Sequence, residues 1–228
     1  MDPLLGDAAR PARLRVGVVG AGRVGAVLGA ALRRAGHALV AVSAVSDASL
    51  ARAAALLPGV PVLPVDDVVR AADLVLLTVP DDALAELVTG LVTTGALQRG
   101  TLLAHTSGRH GLAVLEPAVR AGALPLALHP ALPFAGTAVD LERLVGTAFG
   151  VTAPEPLLPV AQALVLEMGG EPVLLTEEQR PLWHAALAHG ANHLTTLVAS
   201  AADLLRAAGV SDPGPVRPRC AQPHFRDR

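Results

Sequence analysis

The chain has 228 residues, enough for one large domain or for one domain and part of another. It is 52% hydrophobic, so a sizeable core can be buried, and a net charge of -2 leaves no basic footprint for nucleic acid. All 18 basic residues are Arg, and neither Lys nor Tyr occurs. Chemistry that needs a Schiff-base lysine or a Tyr–Lys relay is therefore excluded, and proton transfer falls to His, Asp or Glu. The single cysteine, Cys220, rules out an internal disulfide and thiolate metal sites, and no metal site is expected. The longest apolar, charge-poor run, 121–139, contains Pro125, Pro130 and Pro133 and makes a poor membrane span. Residues 1–13 read as a loose leader without the basic-then-apolar pattern of a signal peptide. The expectation is a cytoplasmic protein with no nucleic-acid or membrane partner.

Residues 14–29, LRVGVVGAGRVGAVLG, organise the rest of the chain. An apolar run of the buried parallel-strand kind breaks into Gly20-Ala21-Gly22-Arg23-Val24-Gly25, and a helical stretch continues to about Arg34. This is G-x-G-x-x-G with a strand before it and a helix after it, the setting in which it marks a dinucleotide site. Gly20 permits the tight turn, Gly22 lets the backbone approach a pyrophosphate, and Gly25 lets helix and strand pack. The first N–H groups of the helix then face the phosphates. The second strand, 38–42, ends in Ser43-Ala44-Val45-Ser46, with Arg52 further along and no acidic residue between Asp7 and Asp47. NAD sites place a carboxylate at this point to bind the ribose 2′-OH. Hydroxyls and a guanidinium suit a 2′-phosphate instead, so NADP is favoured over NAD. Ser43 and Ser46 serve equally well as caps of the next helix.

The alternation continues with a helix at 47–57, a short strand at 60–63 and a helix at 65–72. The strand-like run 73–80 ends at Val79-Pro80, and Asp81 or Asp82 caps a helix to about Leu91. A strand at 101–105 leads into Thr106-Ser107-Gly108-Arg109-His110-Gly111 and a helix to Arg120. A further strand, 124–129, ends at His129-Pro130. Such alternation predicts an α/β fold, a Rossmann-type doubly wound parallel sheet, with ligands beyond the carboxyl ends of its strands. Val79, Pro80, His105, Ser107, Gly108 and His129 all fall on that rim, beside the glycine turn.

Past Gly146 the pattern gives a strand at 148–151, a helix at 156–168, a turn at Gly169-Gly170 and a strand at 173–175. Thr176 caps a long helix, with Glu177 and Glu178 in its first turn, that runs to about Ala208. His189, Asn192 and His193 share one face of it. An imidazole that titrates near neutrality can protonate a carbonyl oxygen as hydride arrives; the same residues also suit a face turned to solvent or to another subunit. The organisation expected is a Rossmann domain at 12–152, a β/α continuation at 153–176, the first helix of an all-helical domain at 177–211 and a disordered tail at 212–228.

The segments GAGRVG, TVPDDAL, HTSGRHG, ALHPALPF and WHAALAHGANHLTTLV carry a resemblance. They are similar to the two-domain reductases of the 6-phosphogluconate/β-hydroxyacid dehydrogenase and pyrroline-5-carboxylate reductase type. More closely, they resemble the bacterial family that pairs a Rossmann-like domain with DUF2520. The resemblance implies an NADP-dependent oxidoreductase acting on a small 2-keto or imino acid, with 2-dehydropantoate as a candidate. It places the family's Lys-x-x-Asn-Asn on His189, Asn192 and His193, which makes His189 the acid. The substrate-carboxylate loop falls on Ser107 and Gly108, with Arg109 as countercharge and His105 and His129 nearby. The missing lysine and the missing bundle keep open a dinucleotide-binding or regulatory protein or a fragment that binds cofactor without turnover, and a further alternative is a deazaflavin-linked NADP oxidoreductase. Such families continue the first long helix into a dimer-building bundle. A Pro/Arg-rich segment comes after residue 211 here, which reads as a truncated version; a homodimer is expected where the helical domain is complete.

Overall fold

The computed structural model describes residues 13–212. Most of the expected leader and nearly all of the tail read as disordered lie outside the described residues. Two compact units divide the chain, the first reaching Trp183 and the second beginning at His184.

Among the described residues seven strands build one sheet: β1 (Arg15–Val19), β2 (Ala38–Ser43), β3 (Leu74–Leu77), β4 (Leu102–His105), β5 (Leu124–Pro130), β6 (Ala148–Thr152) and β7 (Glu171–Leu174). Their order is β2-β1-β3-β4-β5-β6-β7, and the neighbouring pairs are parallel except that β6 runs antiparallel to β5. The helices are α1 (Arg23–Arg34), α2 (Asp47–Leu56), α3 (Val65–Arg70), α4 (Asp81–Thr93), α5 (Glu116–Arg120), α6 (Val139–Arg143), α7 (Leu158–Glu167) and α8 (Arg180–Ala207).

The central strands carry Val and Leu on both faces because helices cover both. Val18 and Leu76 point to one side and pack with Val27, Leu28 and Leu32 of α1. Val19 and Leu77, one residue further along each strand, point to the other and pack with Val68 of α3 and Val88 and Leu91 of α4. Each fully buried side chain of this kind stabilises the fold by about 1.5–3 kcal/mol. Because β1 and β3 are neighbours while β2 lies on the far side of β1, the chain changes direction beside the glycine turn. A crevice opens at such a switch point.

Four local expectations are corrected. The strand expected at 60–63 is reduced to a single bridge between Val62 and Val42, since Pro61 and Pro64 lack the N–H groups that a ladder needs. Strand β6, expected as one more strand of a parallel sheet, pairs antiparallel with β5. The short helix α6 occupies a stretch with no periodic pattern of its own. Finally, α8 begins at Arg180 and not after Thr176. The Thr176 N–H is taken by Gln179 Oε1 at 2.9 Å, and the Glu177 carboxylate accepts the N–H of Leu112 at 2.5 Å. Those four residues are thereby held in a turn.

In the second unit α8 continues as a helix with Leu194, Leu197 and Leu204 exposed. Among the described residues no helix is long and apolar enough to cross a membrane.

Candidate functional site

The glycine turn is fastened from two sides. Gly20, at φ 96°, adopts a conformation that side chains disfavour. Its N–H donates to Ser43 Oγ at 3.0 Å, and the N–H of Ala21 donates to the Ser43 carbonyl at 2.8 Å. From β3's end Thr78 donates its hydroxyl to the Gly20 carbonyl at 2.7 Å. A Cβ on Gly25 would overlap the Gly20 carbonyl and Thr78 Oγ1, so glycine is required there for packing.

Gly22 differs. It is the N-cap of α1 with φ -71°, and the protein atom nearest to its would-be Cβ, the Thr78 carbonyl oxygen, is 3.9 Å away. The fold alone does not need a glycine at this position. No side chain caps α1 and no acidic residue lies in its first turn, so the N–H groups of Arg23, Val24 and Gly25 have no partner within the helix. The partial positive charge there favours an anion. Bare backbone donors beneath an open space fit the diphosphate of a dinucleotide.

A cavity of about 770 Å³ adjoins this turn. Of the residues singled out in the sequence, Gly20, Ala21, Gly22, Ser43, Ser46, Val79 and Pro80 line it, while Arg23, Val24, Gly25 and Arg52 do not. Leu87 and Leu91 of α4 supply apolar wall, and Asp66 and Glu86 stand on the α3 and α4 side. Ser43 already holds Gly20. Ser46 caps α2 through a reciprocal pair of bonds with Ser49, so its capping role is present. Arg52 and Arg23 both pack around Gly136, where a Cβ would lie 2.9 Å from Arg23 Cγ and Arg52 Cδ. The absent side chain of Gly136 leaves the slot that receives them, and Arg52 is not part of the cavity wall.

Further along the rim, His105 is fully buried, accepts the Ser107 N–H on Nδ1 at 3.2 Å and donates from Nε2 to the Gly111 carbonyl at 3.0 Å. Burial, reinforced by the nearby Arg180 charge, lowers its pKa to about 4 against the opposing bond to Gly111. A neutral ring with both nitrogens engaged ties the 106–111 loop together. His105, expected near the substrate carboxylate, thus has both ring nitrogens engaged within the loop. Ser107 and Gly108 are buried, and Ser107 Oγ accepts the His110 N–H at 3.1 Å. Arg109 is exposed beside His110.

No local pattern marks Arg180, whose guanidinium is wholly enclosed. It donates to the carbonyls of His110 and Ser107, both at 2.7 Å, and to Thr152 Oγ1 at 3.0 Å. Desolvation lowers its pKa, partly offset by the Glu177 charge. Three residues on, the indole Nε1 of Trp183 donates to Nδ1 of His129 at 3.0 Å. His129 lies opposite Gly150 in the β5–β6 ladder. A Cβ on Gly150 would come within 2.9 Å of that indole nitrogen, so the missing side chain makes room for it. No periodicity announces these contacts; the polar residues Thr78, Arg180 and Trp183 at element ends were the only signal.

His189, Asn192 and His193 belong to the second unit and are exposed there. The two imidazole centroids are 4.1 Å apart, and His193 Nδ1 lies 2.8 Å from the His189 carbonyl. Among the described residues no group of three or more His, Cys, Asp or Glu is placed to hold a metal ion.

The family profile of the Rossmann-like domain matches residues 1–130, and the chain belongs to that family. The profile of a domain of unknown function, DUF2520, matches residues 147–218. No curated protein matches the chain significantly. Solved structures share its fold. A Bacteroides fragilis protein provisionally described as an NADP oxidoreductase is 23% identical, with 87% of this chain and 74% of that one covered and a TM-score of 0.73. A pyrroline-5-carboxylate reductase from Coxiella burnetii is 14% identical over 88% of this chain and 73% of its own, with a TM-score of 0.66. The Mycobacterium tuberculosis 3-hydroxyisobutyrate dehydrogenase is 22% identical over 88% and 67%, with a TM-score of 0.64.

Proposed function

We propose that this protein is an NADP-dependent oxidoreductase that reduces a small 2-keto or imino acid, with 2-dehydropantoate as a candidate substrate. The observation that carries the reading is Gly22, a glycine the fold does not require, set over the uncapped start of α1 and beside the 770 Å³ cavity. Similar folds in a described NADP oxidoreductase and in a hydroxyacid dehydrogenase support it. The preference for NADP is supported by the end of β2, where Ser43, Ala44, Val45 and Ser46 line the cavity with hydroxyls and apolar groups and the strand itself contributes no carboxylate to the wall, Asp66 and Glu86 standing on the α3 and α4 side.

A bound reduced nicotinamide would supply the hydride. The chain's own part is to bind, orient and protonate. The backbone N–H groups at the start of α1 hold the diphosphate, and Val79 and Pro80 lie along the path to the rim. The 106–111 loop, stiffened by His105 from within and Arg180 from behind, presents Ser107, Gly108 and Arg109 to the substrate carboxylate. His189 is the proposed proton donor, with Asn192 orienting and His193 as its neighbour on the helix; the chemistry of the ring and the shared face support this assignment. Fluorescence titration with NADPH and NADH tests the cofactor reading. Tighter NADPH is expected, and loss of both with Gly22→Val. Equal affinities or tighter NADH refute the 2′-phosphate reading, and no binding of either refutes the whole.

A further inference from the structure

We infer that Arg180 is the positioning residue of the 106–111 loop, an enclosed cation that acts through the Ser107 carbonyl to make the Gly108 N–H the donor for a substrate carboxylate. The inference rests on the reading of that loop as the substrate site.

Arginine keeps its charge inside a protein, and a charge taken out of water is normally met by an opposite one. Arg180 is 0% exposed, yet among the described residues its hydrogen-bond partners are all neutral oxygens. They are the carbonyls of Ser107 and His110 at 2.7 Å, Thr152 Oγ1 at 3.0 Å and the Gly150 carbonyl at 3.5 Å. The Glu177 carboxylate, whose charge Arg180 senses, is spent on the Leu112 N–H. The positive charge therefore acts outward through the groups that solvate it. A trans peptide holds its C=O and N–H on opposite sides, and no described peptide bond is cis. With the Ser107 oxygen turned in to Arg180, the N–H of the same peptide, which belongs to Gly108, is turned away from it. A carbonyl that accepts from a cation polarises its own peptide and strengthens that N–H as a donor.

The donor is unclaimed. Among the described residues nothing accepts from the Gly108 or Arg109 N–H, while those of Ser107 and His110 are held by His105 Nδ1 and Ser107 Oγ. Gly108 is buried, where a backbone donor without an acceptor is rare. The exposed Arg109 follows it and marks where the loop meets solvent. The far end of the same loop already takes a carboxylate of the protein itself. Glu177 accepts the Leu112 N–H, and the absent side chain of Gly111 leaves the space in which that carboxylate lies. The Gly111 peptide is polarised in the same way, through the His110 carbonyl. One end of the loop is thus filled from within, and the Gly108 end, with the same cation behind it, is left for a ligand. Loop, Arg180 and Glu177 all belong to the first unit.

The test uses the full, 15N-labelled chain in excess NADP+, with pyruvate as the carboxylate probe and pyruvamide as its neutral counterpart. Pyruvate is expected to shift the Gly108 amide proton downfield and saturably in 1H–15N correlation spectra, and pyruvamide to leave it in place. Arg180→Lys keeps a cation, and Arg180→Gln keeps a donor without one. Loss of the charge is expected to weaken pyruvate binding about tenfold in Arg180→Gln, with Arg180→Lys between it and wild type and NADP+ affinity unchanged. A purely structural role would weaken both variants equally. An unshifted Gly108 amide in wild type overturns the inference, as do equal shifts with pyruvamide or equal pyruvate affinities in the two variants. The wild-type spectra decide alone should the variants not fold. A Gly108 response to pyruvate without any binding of NADP+ overturns the dinucleotide reading and leaves this inference standing; binding of NADP+ with a silent Gly108 does the reverse.

Discussion

Ser43 reaches from the end of β2 to the glycine turn, its Oγ accepting the Gly20 N–H at 3.0 Å. The hydroxyl expected to meet a ribose phosphate is thus already holding the loop proposed to meet the diphosphate. Ser43→Ala leaves a partly buried N–H without its acceptor and is expected to cost about 1–2 kcal/mol in urea unfolding, with weaker dinucleotide binding. Unchanged stability would mean that the turn holds its shape without β2.

Gly22 and Gly25 should separate function from folding. Gly22→Ser supplies a good N-cap in open space, so stability should hold or rise slightly while dinucleotide affinity collapses. Gly25→Ala drives a methyl group into the Gly20 carbonyl and Thr78 and is expected to cost about 1–3 kcal/mol, read as a lowered melting temperature. Retained nucleotide binding in Gly22→Ser would remove the diphosphate from the start of α1.

His105 gives the fold an acid limit. Its pKa is about 4 in the folded protein against 6.5 for an ordinary imidazole. Between those values the unfolded chain binds more protons, so stability is full above about pH 6.5 and falls as pH drops, by up to ~3 kcal/mol once the folded pKa is passed. Denaturant midpoints measured from pH 7 to pH 4 should show that decline, and His105→Gln should flatten it. An equal slope in the variant would assign the decline to other groups.

Arg180 should be sensitive out of proportion to its distance from the cavity. Arg180→Leu leaves the Ser107 and His110 carbonyls unpaired inside the protein and is expected to cost at least ~2 kcal/mol. Arg180→Lys keeps the charge but not the fork, and should recover only part of the loss. Thermal melts of the two variants test the order; equal stability of lysine and arginine would show that charge alone matters.

Arg52→Ala tests whether a guanidinium packed at Gly136 reaches a 2′-phosphate. With Arg52 away from the cavity wall an unchanged preference is expected, and a narrowing by about 1–2 kcal/mol would reveal a charge-assisted bond formed on binding. An unchanged ratio of NADPH to NADH affinity would assign the preference to the Ser43–Ser46 wall.

The parts of the fold legible in the sequence are those written in local pattern. The apolar runs at β1 and β3 and the glycine turn between β1 and α1 are short-range signals, and the sheet arises from their alternation. What the sequence hid depends on contacts across long separations. The direction of β6 is decided by pairing of His129 with Gly150, and nothing in VGTAFGVT states it. The late start of α8 depends on Leu112 claiming Glu177, a partner 65 residues away. The candidate site divides the same way. Gly20 and Gly22 are legible from the motif and Pro80 from the end of its strand, whereas nothing local marks Arg180, and the burial of His105 depends on the loop that folds over it.

Thr78 also sets a timetable. The glycine turn is spelled out by residue 25, yet its floor is laid by a hydroxyl that leaves the ribosome more than fifty residues later, bonded to the Gly20 and Val19 carbonyls. Until β3 pairs with β1, the Gly20 carbonyl lacks its hydroxyl donor and the close approach at Gly25 lacks Thr78. A nascent chain halted before Thr78 therefore carries the full fingerprint without the socket. One released beyond Leu91, with α4 folded over β3, first carries the completed turn while the rest of the sheet is still being made.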